Sequence, residues 1–361
     1  MPAADPSVAP PSPAARAALR RRLLAWFDAS HRPMPWRGSK DPWAILVSEV
    51  MLQQTTVAAV VPYFERFVAR WPTPGALARA SREEILAAWA GLGYYRRADL
   101  LARTARWVDE HGGRFPRTRD ELAALPGIGE YTAGALASIA FGEVVPAVDG
   151  NVERVLARLF ALDGDPRKAP ARRAIAARAG ALVDPARPGD FNQALMELGA
   201  RVCRPRAPEC GACPIAPSCE ARRRGEPTRW PQRATRLPPV DVLRVALVVA
   251  RGGRVLLTRR DAPPNEGFLE LPAIDAEGTP DPAPLVEVLR RHAGLRLRVV
   301  RALPPHRHGI TRSRITVHPF AAVHAGGRVR DPFAWVDPCD LGQAITTASR
   351  RIVAQTFPDH P

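Results

Sequence analysis

Apolar residues recur at helical spacing through most of the first 220 positions of the chain. Leu19, Leu23, Leu24, Trp26 and Phe27 fall on one side of a helix predicted over about 14–29. The following HRPMPWRGS stretch reads as a loop, because Pro33 and Pro35 forbid regular helix. Asp41 and Pro42 then supply an N-cap and a first-turn proline, opening a helix expected to run through about Ala59. Its apolar stripe carries Ile45, Leu46, Val50 and Leu52, and Glu49 lies on or beside that stripe. A carboxylate there costs free energy unless it is paired or kept protonated; the plainer alternative is a helix-edge glutamate reaching water. Ser81 with Glu84 has the spacing of a capping box, and a further helical pattern runs through GLGYYRRADLLARTARWV, 91–108. Thr118 with Glu121 forms a second box, for a short helix over about 119–125. Leu-Pro-Gly-Ile-Gly stops that helix, since Pro126 has no N–H to donate and Gly127 and Gly129 tolerate positive φ. Helices follow directly after Gly129, from Gly150 or Asn151, and over 191–200, where Phe191, Leu195, Met196 and Leu198 are apolar.

The pattern changes after a proline-rich linker at about 225–240. VLRVALVVA, GRVLLTRR and RITVHPFAAVHA are short β-branched runs, and Gly252-Gly253 between the first two reads as a hairpin turn. Helical spacing returns near 282–292 and 341–355, so this second part is expected to be α+β.

Composition narrows the partners. The 361-residue chain exceeds one ordinary domain, and 46% hydrophobic content is enough for real cores. A formal charge of +16 and a pI near 11.0 point to a polyanion, without distinguishing DNA from RNA or an acidic membrane surface. No run of apolar residues is long enough to span a bilayer, so no membrane partner is expected. Residues 1–17 are Pro- and Ala-rich with no apolar core before a cleavage site, and read as a disordered leader. The Ala/Arg/Pro bias suggests a GC-rich genome and hence a cytoplasmic, nucleoid-associated bacterial protein.

Several constellations carry candidate chemistry. Helix, glycine hairpin and helix N-terminus at 119–132 aim free N–H groups outward, as an anion site or as a plain tight turn. Tyr94 and Tyr95 follow a glycine turn and precede Arg96 and Arg97, an aromatic and basic cluster of the kind that stacks on bases beside phosphates, though core tyrosines give the same pattern. Asp149 is placed as an N-cap. Cys203, Cys210, Cys213 and Cys219 lie within seventeen residues as C-x6-C-x2-C-x5-C, which argues for metal; a zinc held by four thiolates and an iron-sulfur cluster both remain open on spacing alone. Between 201 and 240 nine arginines face three glutamates, a basic surface able to hold phosphates, and Cys339 stands apart as an ordinary thiol.

The hairpin, VDGNVERV, SEVMLQQT and the cysteine spacing together resemble the helix-hairpin-helix family of DNA glycosylases, and in particular its adenine-removing branch. The likeness runs from about 18 to 357 and is dense to about 220. It implies a mainly α glycosylase fold over 18–224, made of two helical subdomains with a [4Fe–4S] cluster on the loop 203–219, followed by a Nudix-like lesion-recognition domain over 241–358. Carried across residue by residue, the resemblance makes Glu49 the acid that protonates adenine and Asp149 the carboxylate that stabilises the sugar cation. Asn151 and Tyr131 orient that pair. Trp36 and Arg37 sandwich and read adenine, Leu52 lines the base pocket and Gln54 fills the vacated stack. Tyr94 wedges beside the lesion base, Gln193 reads the adenine edge, Glu197 supports it, and the amides of Gly127 and Gly129 hold phosphate. The two acids need opposite protonation: Glu49 against apolar neighbours is expected to rise in pKa, and Asp149 at a helix N-terminus to stay ionised. In strand-cutting relatives the position of Tyr131 carries a Schiff-base lysine; a phenol cannot form an imine, so a monofunctional enzyme is expected.

In the second domain Arg291 and His292 fall where a Nudix hydrolase needs paired glutamates, which argues against hydrolase activity. The loop that reads 8-oxoguanine in the family corresponds to HRHGITRSR, so Ile310, Thr311 and Arg312 stand in and Thr311 keeps a hydroxyl. The expectation is a monomeric, monofunctional glycosylase that removes adenine opposite 8-oxoguanine (or guanine) in double-stranded DNA. The alternatives are a glycosylase-lyase for oxidised pyrimidines and a non-catalytic iron-sulfur DNA-binding protein.

Overall fold

The computed structural model of the protein describes residues 12–232, 238–261, 266–310, 312–338 and 345–357. The chain divides into two compact units, one formed by Met1–Ala80 and Asp99–Thr235, the other by Ser81–Ala98 and Arg236–Pro361.

In chain order the helices are α1 (Pro13–Ser30), α2 (Pro42–Leu52), α3 (Val57–Arg70), α4 (Pro74–Ala78), α5 (Arg82–Trp89), α6 (Arg96–Glu110), α7 (Arg119–Ala123), α8 (Glu130–Phe141), α9 (Gly150–Leu159), α10 (Ala169–Leu182), α11 (Pro188–Arg201) and α12 (Glu220–Arg223). Helix α1 begins inside the stretch read as leader, because the Ser12 hydroxyl caps it by accepting from the Ala15 amide at 3.3 Å. Leu19, Leu23, Leu24 and Phe27 are buried as expected and pack with α9, α10 and α11 around Leu156, Phe191 and Leu195.

Helix α2 stops at Leu52, seven residues short of the expected end, and a separate α3 begins at Val57. The break sits in Gln53–Thr56, where Gln54 takes φ +58°, a left-handed conformation that no helix interior admits. Helix α6 likewise starts five residues late, because Gly91, Gly93 and Tyr94 all have positive φ. Both capping boxes are formed, at Ser81–Glu84 and at Thr118–Glu121, although α7 ends two residues early at Ala123. Gly127 has φ +87°, and a Cβ there would lie 2.8 Å from Leu100 Cβ. Gly129 instead has an extended backbone and caps α8, so only one of the two hairpin glycines uses the left-handed region.

The first part of the expected linker is built into the helical unit. Pro227–Arg229 form a single 3-10 turn, and Trp230 is buried against Ala157, Ala161 and Ala221. Its indole N–H donates to Asp163 at 3.1 Å.

The second unit contains an eight-stranded sheet: β1 (Val240–Arg251), β2 (Arg254–Arg259), β3 (Leu269–Glu270), β4 (Ala273–Ala276), then α13 (Ala283–Ala293), β5 (Arg296–Ala302), β6 (His306–Ile310), β7 (Ser313–Gly326), β8 (Phe333–Val336) and α14 (Thr347–Thr356). The main path runs β3-β2-β1-β7-β5, with β4 on β1, β6 on β7 and β8 on β2. Strands β1 and β7 are parallel from Val240–Ser313 to Ala250–Val323. The Gly252-Gly253 turn forms with φ +55° and +76°, joining Arg251 to Arg254 across a two-residue hairpin. Strand β1 is buried on both faces by strict alternation: Ala246 and Val248 join a core with Ile352 and Val353 of α14, while Val245, Leu247 and Val249 join one with Leu285 and Leu289 of α13. The α+β character expected of this part is present.

Candidate active site

Glu49 lies on a helix that is buried nearly all round, since Trp43 and every residue from Ile45 to Met51 is buried. Its side chain is 7% exposed and faces a cavity of about 830 Å³ in the helical unit. The Tyr131 hydroxyl donates to Glu49 Oε2 at 2.5 Å, and Met196 Sδ lies 3.6 Å from the same hydroxyl. Burial pushes the Glu49 carboxyl up to about 7; the Tyr131 hydrogen bond pulls it down, and the Asp149 charge adds to the rise. Burial next to two carboxylates drives the Tyr131 phenol well above its ordinary range, so it stays protonated and acts as the donor. Oε2 is engaged by the phenol, which leaves Oε1 as the other oxygen of the carboxyl.

Asp149 caps α9, accepting from the amides of Asn151 at 3.0 Å and Val152 at 2.7 Å on Oδ1 and from Asn151 Nδ2 at 2.8 Å on Oδ2. The cap that sequence alone favoured is therefore real, and the same residue lines the cavity. Its pKa is moved upward by burial, which outweighs these three hydrogen bonds and the nearby Arg154 charge. Asp149 is thus held by donors yet more proton-binding than a free aspartate, where helix capping alone had suggested the opposite direction.

Trp36, Arg37, Leu52, Gln54, Gln193 and Glu197 line the same cavity. The Trp36 ring stands edge-on to Phe64 with centroids 5.0 Å apart. Glu197, 2% exposed, accepts Arg32 Nε at 2.7 Å, Arg32 Nη2 at 2.9 Å and Arg37 Nη2 at 3.3 Å. Burial raises its pKa, but these arginines outweigh burial and leave it below the ordinary carboxylate value. Arg37 Nη1 also donates to Gln193 Oε1 at 2.7 Å, while its buried Nε finds no hydrogen-bond partner among the described residues. Gln193 therefore presents its amide nitrogen, not its oxygen, as the group left for a ligand.

Two arginines that resemble surface charges in the sequence are interior. Arg154 donates to Asn151 Oδ1 at 2.9 Å and to the carbonyls of Gly199 at 2.8 Å and Cys203 at 2.7 Å. Arg158, 2% exposed, donates to the carbonyls of Trp230, Arg204 and Pro205 and to Cys203 Sγ at 3.3 Å. VERVLARL gave no sign of this, because i, i+4 arginines on a helix usually face water. Helices α9 and α11 approach closely at Gly199, where a Cβ would lie 2.6 Å from Asn151 Cβ.

The four cysteines are free and line one small cavity with Arg158. Burial pushes the Cys213 thiol up to about 11, and the other three thiols add to that rise. Among the described residues no three His, Cys, Asp or Glu side chains are gathered as ligands of a metal ion. Tyr94 lies in the other unit, 56% exposed. Thr311 and Cys339 fall outside the described residues, and Ile310 ends β6. Arg291 and His292 occupy the last turn of α13, where Arg290 and Arg291 both pair with Glu287.

Residues 47–179 match the HhH-GPD superfamily of base excision DNA repair proteins. The chain is 50% identical over 219 residues to an adenine DNA glycosylase of Homo sapiens, covering 58% of this chain and 40% of that one. It is 41% identical over 317 residues to the Rattus norvegicus protein of the same name, with 72% and 61% covered. An adenine DNA glycosylase of Mycobacterium tuberculosis H37Rv is 42% identical over 236 residues, with 62% and 78% covered. Among solved structures, a thermostable thymine-DNA glycosylase superposes with a TM-score of 0.54 at 31% identity, over 58% of this chain and 98% of that one. The chain belongs to the adenine DNA glycosylase family of this superfamily. It spans about half the length of its human and rat relatives.

Proposed function

We propose that the protein is a monofunctional DNA glycosylase that removes adenine mispaired with 8-oxoguanine (or guanine) from duplex DNA. The observation that carries this is Glu49, a buried carboxyl with its pKa at about 7, bonded to Tyr131 and facing one cavity with Asp149. A carboxyl of that pKa keeps about half of its population protonated near neutral pH, where an ordinary glutamate is almost wholly ionised, as general acid catalysis requires. The adenine is flipped into the cavity, and a proton from Glu49 Oε1 moves to the base. The C1′–N9 bond breaks with its electron pair leaving on adenine, and positive charge develops on the sugar. Asp149, held by the α9 amides and Asn151, stabilises that charge as a carboxylate. Water then adds its oxygen to C1′, and its second proton passes to Glu49, restoring the acid and leaving an abasic site. Tyr131 offers no amine for an imine, which supports hydrolysis without strand cleavage.

The four cysteines fit an iron-sulfur cluster. The four sulfurs line one small cavity, burial raises the Cys213 and Cys219 thiols so that they give up their protons only to a strong positive centre, and Arg158 already donates to the Cys203 sulfur. Cys203, Cys210, Cys213 and Cys219 would hold a [4Fe–4S] group that anchors the basic loop; hydrolysis moves no electrons. The +16 charge supports a polyanionic partner, and membership of a base excision DNA repair superfamily supports double-stranded DNA as that partner.

The test uses a duplex with one adenine opposite 8-oxoguanine, scored for strand breaks with and without hot alkali, alongside Asp149→Asn. Breaks only after alkali, lost in the variant, are expected. Breaks without alkali that borohydride traps would refute the monofunctional reading, and no breaks in either condition would remove the enzyme reading.

A further inference from the structure

The turn joining α5 to α6 is held in a conformation its sequence resists. Gly91, Gly93 and Tyr94 have φ of +98°, +75° and +50°. Glycine enters that region freely, but a bulky aromatic does so only when its surroundings impose it. Tyr94 is also 56% exposed, so its own packing supplies little of that constraint.

The constraint comes from beneath. Arg97 is 6% exposed, an unusual place for a guanidinium. Its Nη2 donates to the carbonyls of Gly93 at 3.0 Å and Leu92 at 3.4 Å, and its Nε to that of Tyr94 at 3.4 Å. The guanidinium carbon sits 5.4 Å from the Tyr94 ring centroid and 5.5 Å from that of Trp89, within cation–π range of both. The next residue closes the turn from the other side. The Tyr95 hydroxyl accepts the Gly91 amide at 3.3 Å, and its ring lies 4.2 Å from the buried Phe268 ring. A planar fork reaching three successive carbonyls cannot be reproduced by a point charge.

We propose that Arg97 is a positioning residue for Tyr94: it holds the 92–94 turn in its left-handed form so that the tyrosine ring projects, already set, for insertion into a base stack. Unstacking a duplex costs free energy at each step opened, and a ring that needs no rearrangement adds no ordering cost to it. The inference rests on the proposed reading of Tyr94 as the wedge beside the target base pair.

The experiment uses the full chain and compares wild type with Arg97→Met, Arg97→Lys, Tyr94→Leu and the Tyr94→Leu/Arg97→Met double variant. Hydrogen exchange at the Gly91, Leu92 and Arg97 amides reads the turn without DNA. Arg97→Met is expected to speed it at least about tenfold, the scale of a desolvated cation–π contact, with Arg97→Lys in between. Fluorescence anisotropy then gives the preference for an adenine–8-oxoguanine duplex over a fully paired one. Arg97→Met should lower that preference by the same factor as Tyr94→Leu, and the double variant no further. Unchanged exchange in Arg97→Met, or losses that multiply in the double variant, would overturn the inference. Should Arg97→Met fail to fold, Arg97→Lys carries both readouts by the same criteria. A wild type with no preference between the duplexes refutes the wedge and with it the role of Arg97 in lesion reading; the exchange result then tells whether the turn is still clamped.

Discussion

Replacing Glu49 by glutamine separates the catalytic and structural consequences of one buried acid. Its carboxyl rises from an ordinary 4.5 to about 7 on folding, so the folded protein binds this proton more tightly than the unfolded chain does. The stability contributed by that proton is fully present below 4.5 and is lost as pH rises through 7. A rise of that size is worth roughly 3 kcal/mol, which the wild type forfeits above pH 8 and a glutamine does not. The glutamine carbonyl still accepts from the Tyr131 hydroxyl, so the hydrogen bond survives the exchange. The expected result is a Glu49→Gln protein close to wild type in stability at pH 4.5 and more stable by roughly 2–3 kcal/mol at pH 8.5, yet inactive at both. Urea unfolding of the two proteins at the two pH values, followed by far-ultraviolet circular dichroism, measures this. A difference that stays flat or shrinks with rising pH would refute the burial argument, and full activity in the variant would remove Glu49 as the acid.

Three further outcomes follow from the same geometry. Tyr131→Phe removes the hydrogen bond that pulls the Glu49 carboxyl down, so the alkaline limb of the rate profile should move to higher pH; a move to lower pH contradicts the assigned donor. Gly199→Ala places a methyl 2.6 Å from Asn151 Cβ and 2.9 Å from its carbonyl oxygen, pushing the α9 N-terminus and Asp149 out of line. A displacement of that kind should cost about a hundredfold in single-turnover rate, with binding of undamaged duplex unaltered. Arg158→Met strips donors from four carbonyls and one sulfur in the interior, and should destabilise the helical unit by roughly 3 kcal/mol or more and lower the iron recovered per chain. Full iron content in that variant would show that the cysteine loop holds itself.

Local signals in the sequence were the most legible ones. The two capping boxes, the Asp41-Pro42 start and the Gly-Gly hairpin each depend on residues a few positions apart, and each forms. What could not be read depends on distant partners. Glu49 and Tyr131 are 82 positions apart; the family resemblance put both in one site, but no local pattern in either segment says that the phenol donates to the carboxylate. The split between α2 and α3 was invisible because Gln-Gln-Thr-Thr contains no glycine or proline, the residues that normally announce positive φ. Helix α10 was overlooked for a related reason: APARRAIAARAGAL is rich in alanine and buries only Ile175, Ala179 and Leu182, too few to draw an apolar stripe. Arg154 and Arg158 were hidden by residue type, since arginine is interior only where carbonyls are already arranged to receive it.

The burial of α2 has a consequence for how this protein tolerates change. An ordinary helix keeps a solvent-facing side on which substitutions accumulate at little cost. Of the eleven residues of α2, eight are buried, and Leu52 and Gln53 at its end border the cavity. A saturation library across Pro42–Gln53 should therefore show no permissive face, with charged replacements depleted at nearly every position and not in a three-to-four-residue rhythm. In such a profile Glu49 would differ from its neighbours by accepting glutamine, and survival of the fold alone would not report its proposed role as the acid. A screen that reads base removal apart from solubility should show the opposite response there, with glutamine at Glu49 kept for folding and lost for activity.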